Sequence, residues 1–253
     1  SGSYTASIDT HGGGLASLKY EGRDLVEARG PVFIFCGNLL APWPNRIRDG
    51  KYSWNGVDYQ APLNEVERNN NLHALVFDKE WTISENTGDS ATLTLTIHAS
   101  AAYATDLEFS VVYSLSSAGL HWQINAKNIG NVSAPYGVSV HPYLLAEAGV
   151  KNDACTLTLK SSKYMSVDAK RLLPTGVKNV EEANFDFRNG RINPGFKNEV
   201  TAIQINPMVK FQDLELHGVY ETANGAAKDK DSRTFDQIAV DVIYRFDTLF
   251  LGA

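Results

Sequence analysis

The stretch Pro42-Trp43-Pro44-Asn45-Arg46 contains residue types that could do chemistry at a fixed position. Two prolines so close together restrict the backbone and lower its conformational entropy. Asn45 and Arg46 are therefore predicted to be presented rigidly, as donors aimed at hydroxyl groups or at a carboxylate. This pattern predicts a binding site for a polar ligand.

His141 is a second candidate, because strand alternation predicts a small hollow beside it. A strand over 136–141 would place three apolar side chains on one face and two small residues with His141 on the other. The apolar side chains are those of Tyr136, Val138 and Val140. Room beside an imidazole is what a ligand site needs. The alternative is a histidine that is hydrogen-bonded within a tight core.

His73 and Asp241 are weaker candidates when each is taken alone. His73 follows a polar loop with three consecutive asparagines, a composition that suits positive backbone angles and is typical of a solvated turn. Asp241 alternates with Val240 and Val242 in a strand pattern. Its carboxylate would be part-buried, with a raised pKa, or would face water on the outer side of the strand.

The elements that must position these residues are strands. The hydrophobic period is two almost everywhere, as in 107–115, and turn pairs such as Asn55-Gly56 separate the runs. No stretch shows a sustained helical period. We predict an all-β, antiparallel fold of two large packed sheets or a closed barrel. We expect one domain over 1–253, because no segment is a convincing boundary.

Composition and charge exclude several classes of function. The chain has 253 residues, 43% hydrophobic and 21% charged, with a net charge of -6 that argues against nucleic acid or an anionic membrane surface as the main partner. Cys36 and Cys155 are predicted to be buried thiols, with one disulfide as the alternative. Histidines and acids never fall at metal-ligand spacing. No secretory signal or membrane-length apolar run is visible, so we expect a cytoplasmic protein without membrane contact.

These pieces together resemble the aldose 1-epimerase (galactose mutarotase) family along nearly the whole chain. The most specific part is Pro42–Ile47 with Asp49–Tyr52, followed by Asn71–His73, and His141-Pro-Tyr143 is a second signature. The resemblance implies a large twisted antiparallel β-sandwich, the galactose mutarotase-like supersandwich. It also implies interconversion of the α and β anomers of free sugars without a cofactor.

The resemblance also implies roles for individual residues. Arg46 and His73 would bind sugar hydroxyls and the region of the ring oxygen, and His141 would be the general acid. The family's general base is a glutamate in a strand near the C-terminus, and Asp241 stands at the matching position. The family's sugar-binding aspartate is matched by Asn193.

We therefore expect an aldose 1-epimerase that acts on a free aldohexose, as a monomer or homodimer and without a metal ion. Asp241 and Asn193 leave open a catalytically weak or inactive carbohydrate-binding β-sandwich of the same family. An epimerase for hexose phosphates is a further alternative, which would need additional arginines such as Arg48 and Arg68. A purely structural β protein would leave the series from Asn45 to His141 unexplained.

Overall fold

The structure is a computed structural model, and it describes most of the chain. The described residues are 2–29, 35–146, 150, 155–182 and 185–190, together with the backbone of 183, 191–192, 208–211, 214–227, 233–246 and 249–252. The chain divides into two compact units, Ser1–Leu145 with Lys170–Leu173 and Ala146–Ala169 with Pro174–Ala253. One domain over 1–253 stays a prediction.

The first unit is built from short and medium strands. They are β1 (Tyr4–Asp9), β2 (Gly14–Tyr20), β3 (Arg23–Asp24), β4 (Leu39–Leu40), β5 (Arg46–Arg48), β6 (Lys51–Trp54), β7 (Val57–Gln60), β8 (Asn70–Leu72), β9 (Thr82–Asn86), β10 (Ser90–Ile97), β11 (Leu107–Ser116), β12 (Gly119–Asn128) and β13 (Ser139–Val140). They form sheets in the orders β1-β2-β3 and β12-β11-β10-β9 and the pairs β13-β4, β5-β8 and β6-β7.

The second unit contains the remaining described strands. They are β14 (Cys155–Thr158), β15 (Lys163–Val167), β16 (Pro174–Asn179), β17 (Arg191–Ile192), β18 (Met208–Phe211), β19 (Leu214–Ala227), β20 (Arg233–Phe246) and β21 (Leu249–Gly252). The sheet order is β17-β14-β19-β20-β21, β18 pairs with β19, and β15 pairs with β16.

Helical structure in the described residues is limited to two 3₁₀ turns, Val66–Arg68 and Val180–Ala183. Every described strand pairing is antiparallel, which confirms the all-β prediction. Within the described part of the chain, no helix is long and apolar enough to cross a membrane.

The core of the first unit follows the period of two seen in the sequence. On β11 the alternate residues Leu107, Phe109, Val111 and Tyr113 are at most 4% exposed. Leu15 of β2 belongs to the same buried cluster, so the three-stranded and four-stranded sheets share one core. Burying each such side chain stabilises the fold by roughly 1.5–3 kcal/mol.

Turns and cysteines agree with the sequence. β6 and β7 form the predicted hairpin, with Asn55 and Gly56 at φ 49° and 77° as a two-residue hairpin turn requires. Cys36 is buried and Cys155 is only partly buried, and neither forms a disulfide, so the prediction of thiols is confirmed and that of full burial holds for Cys36 alone.

Candidate active site

A short ladder fixes the backbone of His141. β13 pairs with β4, and beyond it the N–H of Gly37 donates to the His141 carbonyl at 2.8 Å. The N–H of His141 donates to the carbonyl of Asn38 at 3.1 Å. Gly37 has φ 71°, and a Cβ there would lie 1.9 Å from the carbonyl oxygen of Leu15, so only glycine fits. The position of His141 is therefore set by buried backbone.

The predicted strand over 136–141 is wrong in its extent, because only Ser139–Val140 pairs as a strand, with β4. Tyr136, Val138 and Val140 pack against the core of the first unit. His141 follows β13 directly and is half-buried. Its ring packs against those of Phe35, His73 and Tyr143, and its role in a ligand site stays a prediction.

Asn45 and His73 hold each other by two hydrogen bonds. The N–H of His73 donates to the Asn45 carbonyl at 2.8 Å, and the N–H of Asn45 donates to Nδ1 of His73 at 3.1 Å. Both residues have positive φ, 64° and 61°, which asparagine and histidine tolerate better than most residues. Because Nδ1 accepts, the proton of the neutral imidazole lies on Nε2.

Strand pairing brings Arg46 next to this pair. Arg46 on β5 lies opposite Leu72 on β8, one residue before His73. The Arg46 guanidinium donates from Nε and Nη2 to the two carboxylate oxygens of Glu65, each at 2.8 Å. The Arg46 side chain is only 17% exposed, so the structure fixes its orientation, as the sequence predicts.

The rings of His73 and His141 meet in an aromatic setting. Their centroids are 5.3 Å apart and the rings are nearly perpendicular, at 82°. Phe35 packs edge-on against His73, with ring centroids 4.8 Å apart. The ring centroid of Tyr143 lies 5.1 Å from that of His141. Two half-buried imidazoles therefore pack directly against each other.

Burial controls the protonation of both rings. It is the main cause that lowers the pKa of His73 to about 3, and the charges of His141 and Arg46 add to it while Glu65 acts in the opposite direction. Burial also lowers the pKa of His141, partly opposed by a hydrogen bond to its own backbone. Both imidazoles are predominantly neutral at pH 7, and each offers one donor and one acceptor nitrogen.

The structure brings together four of the predicted site residues, namely Asn45, Arg46, His73 and His141. Asn193 lies outside the described residues. Of Asp241 only the backbone is described, on β20 opposite His217 of β19. The roles of Asn193 and Asp241 stay predictions. Among the described residues, no three His, Cys, Asp or Glu side chains cluster as a metal site would require.

Sequence reasoning missed the partners that surround these residues. Glu65 is 4% exposed and Asn70 is fully buried, although their loop has the composition of a solvated turn. A usable signal was a carboxylate followed by consecutive asparagines, since these types can satisfy one another's hydrogen bonds when they are buried. Phe35 carried no signal, because an aromatic residue in an apolar run reads as core.

Comparison with known proteins identifies the family. The family model described as aldose 1-epimerase matches residues 1–203. The chain therefore belongs to the aldose 1-epimerase family, as the sequence motifs predict.

Two curated relatives illustrate the range of similarity. The uncharacterized protein YihR of Escherichia coli K12 is 38% identical over 194 residues, which cover 75% of this chain and 62% of that protein. Galactose mutarotase of Mus musculus is 29% identical over 160 residues, which cover 61% of this chain and 45% of that protein. The chain thus spans between about half and two thirds of the length of these relatives.

Solved structures show the same fold. A GalM/aldose epimerase homologue from C. elegans has a TM-score of 0.69 at 17% identity, covering 96% of this chain and 87% of that chain. Galactose 1-epimerase from Lactobacillus acidophilus has a TM-score of 0.66 at 18% identity, covering 88% of this chain and 74% of that chain. The predicted all-β, galactose mutarotase-like sandwich is confirmed.

Proposed function

We propose that the protein is an aldose 1-epimerase that interconverts the α and β anomers of a free aldohexose. The observation that carries this proposal is the pair of half-buried imidazoles, His73 and His141, with centroids 5.3 Å apart. Arg46, beside them, has its guanidinium fixed by Glu65. Membership of the aldose 1-epimerase family supports the same activity.

The proposed reaction opens and recloses the sugar ring. A base takes the proton from the C1 hydroxyl while an acid protonates the ring oxygen, and the C1–O5 bond breaks to give the open aldehyde. Rotation about the C1–C2 bond and the reverse proton transfers then close the ring as the other anomer. We assign the acid to His141 and the base to Asp241. Each such group typically contributes on the order of 10²–10⁴-fold.

The remaining groups would bind and orient the sugar. His73, neutral and with its proton on Nε2, offers an N–H donor to the ring oxygen or to a hydroxyl. Arg46 offers charge-assisted hydrogen bonds. Asn45, whose side chain is exposed beside Arg46, and Asn193 are proposed to contact further hydroxyls.

Charge pairing favours a free sugar over a sugar phosphate. Arg68, one of the arginines a phosphate site would need, already donates to both Glu65 and Glu67 at 3.2 Å. Arg171 donates to Asp49 at 2.7 Å, and Arg46 is paired with Glu65. Guanidinium groups with carboxylate partners present little net charge to a phosphate.

Polarimetry of freshly dissolved α-glucose and α-galactose tests the proposal. The protein should accelerate the approach to anomeric equilibrium, and His141→Asn should lower kcat by about 10²-fold or more, the typical contribution of a general acid. His121→Asn is the matched control, because His121 is an exposed histidine on β12 of the same unit. A His141→Asn protein that keeps its rate would remove His141 from the mechanism.

A carbohydrate-binding module without turnover is the second candidate. Aspartate at 241 and asparagine at 193 favour it, because both depart from the residues that the family uses. Calorimetry would then detect binding of galactose or glucose while polarimetry detects no acceleration. Loss of activity in Asp241→Asn, starting from an active protein, would exclude this candidate.

A further inference from the structure

The Glu65 carboxylate accepts two hydrogen bonds from one edge of the Arg46 guanidinium. The two hydrogen bonds, from Nε and from Nη2, are each 2.8 Å long and reach different oxygens of the carboxylate. A third donor, Nη1, lies 3.3 Å from Oδ1 of Asn45. A guanidinium carries five N–H donors. The others have no hydrogen-bond partner among the described residues, which leaves them for a ligand.

Glu65 is itself held in place from the other side. Asn70 donates to it from Nδ2 at 2.9 Å, and Arg68 donates from Nη1 at 3.2 Å. Asn70 in turn accepts from Nη2 of Arg171 at 3.1 Å and donates to the Arg171 carbonyl at 3.0 Å. The carboxylate cannot rotate away from Arg46 without breaking several of these bonds.

The pair is ionised although it is buried. Burial alone would raise the pKa of Glu65, but hydrogen bonds from Arg46 and Asn70 and the charges of Arg46 and Arg68 outweigh it, so the pKa is lowered. The negative charge therefore lies against the guanidinium at neutral pH. Arg46 then offers a ligand a fixed pair of donors, and Glu65 balances part of its charge.

We propose that Glu65 is a positioning residue that orients Arg46 and balances its charge, and that it thereby selects neutral sugars over anionic ones. The inference rests on the proposed epimerase function and deepens it, because it assigns the substrate class to a side-chain pair. Glu65 acts through Arg46 and has no contact with the reacting atoms in this account.

Glu65→Gln is the direct test, and Glu67→Gln is its matched control. Both remove one carboxylate from the same loop, but Glu67 is 70% exposed and pairs only with Arg68 among the described residues. Glu65→Gln should raise KM for glucose and lower kcat/KM about 10–100-fold, the value of one charge-assisted hydrogen bond. The ratio of kcat/KM for glucose 6-phosphate to that for glucose should rise about tenfold. Glu67→Gln should leave both quantities within about twofold.

Glu65→Asp tests rescue, because it restores the charge at a shorter reach. It should return the glucose 6-phosphate to glucose ratio toward that of the parent protein. Should Glu65→Gln fail to fold by circular dichroism, Glu65→Met, which also removes the charge at a similar side-chain volume, replaces it in the same comparison of ratios. If Glu65 had a purely structural role, its loss would lower kcat/KM equally for glucose and for glucose 6-phosphate. An unchanged ratio of the two values would therefore overturn the proposal.

NMR of the Arg46 Nε–H separates this inference from the proposed function. In the parent protein the resonance, assigned by its loss in Arg46→Lys, should be sharp and slow to exchange, and in Glu65→Gln it should exchange faster. If the parent protein is inactive but shows this difference in exchange, the proposed epimerase function is refuted while the positioning of Arg46 by Glu65 stands. Active parent protein with an Nε–H insensitive to Glu65→Gln would refute the positioning role alone.

Discussion

His73 should make the stability of the first unit depend on pH. Its pKa is about 3 in the folded protein, against an ordinary value of 6.5 that the unfolded chain regains. Between these values the unfolded chain binds a proton that the folded protein does not bind. The free energy of unfolding therefore falls as pH is lowered from about 6.5 towards 3, and above this window His73 contributes no pH dependence.

The size of the effect follows from that difference. One proton is worth about 1.36 kcal/mol per pH unit, so lowering the pH from about 7.5 to about 5 should cost about 2 kcal/mol through His73 alone. His73→Asn removes the titration, while its amide oxygen can still accept the N–H of Asn45. Between pH 6 and pH 5 the stability of the variant should therefore fall by about 1.2 kcal/mol less than that of the parent protein.

Urea unfolding followed by tryptophan fluorescence measures this difference. Trp43, Trp54, Trp81 and Trp122 all lie in the first unit, so the signal reports the unit that contains His73. His121→Asn, at an exposed position, is the control and should keep the slope of the parent protein. Equal slopes for His73→Asn and the parent protein would refute the argument that burial keeps this imidazole neutral.

Three further outcomes follow from the site and its scaffold. Burial lowers the pKa of His141, and the proposed acid must be protonated to act. The value of kcat/KM, corrected for spontaneous mutarotation, should therefore fall about tenfold per pH unit above pH 7. A flat pH profile would contradict this. Asp241→Glu, which restores about one methylene of reach, should raise kcat by up to about 10²-fold, and an unchanged kcat would show that the backbone already compensates. Gly37→Ala places a Cβ 1.9 Å from the Leu15 carbonyl oxygen and should lower the free energy of unfolding by more than about 3 kcal/mol. Gly56→Ala has no atom within 4 Å of its Cβ and should lower it by about 1–2 kcal/mol, both measured by thermal unfolding. Equal losses for the two glycines would refute the steric argument.

Local patterns predicted the scaffold well, because they depend on neighbours in the sequence. The burial of alternate residues on β11 follows directly from its period of two. The Asn55-Gly56 turn follows from the positive φ angles that only a few residues tolerate. The alternation before His141 likewise predicted that Tyr136, Val138 and Val140 pack against the core.

The partners of the site could not be predicted in the same way, since they depend on contacts between distant segments. Asn71 is fully buried because it accepts from Nε1 of Trp43 at 2.9 Å and donates to the Pro62 carbonyl at 2.8 Å. Its sequence context gives only a polar loop. The same holds for Glu65, whose burial makes sense only once Arg46 lies against it. Polarity alone predicts exposure, and a satisfied network overrides it.

The described side chains also limit where the proposed base can come from. Glu65 is the carboxylate beside the site, but its oxygens already accept from Arg46, Arg68 and Asn70, and its pKa is lowered. A carboxylate held in that way is a poor proton acceptor. Among the described residues, neither His73 nor His141 has a hydrogen bond or ion pair to any carboxylate. Glu65 is therefore a poor candidate for the base, and the proposal keeps Asp241 in that role. If Asp241 is the base, as proposed, Asp241→Asn should lower kcat more than Glu65→Gln does.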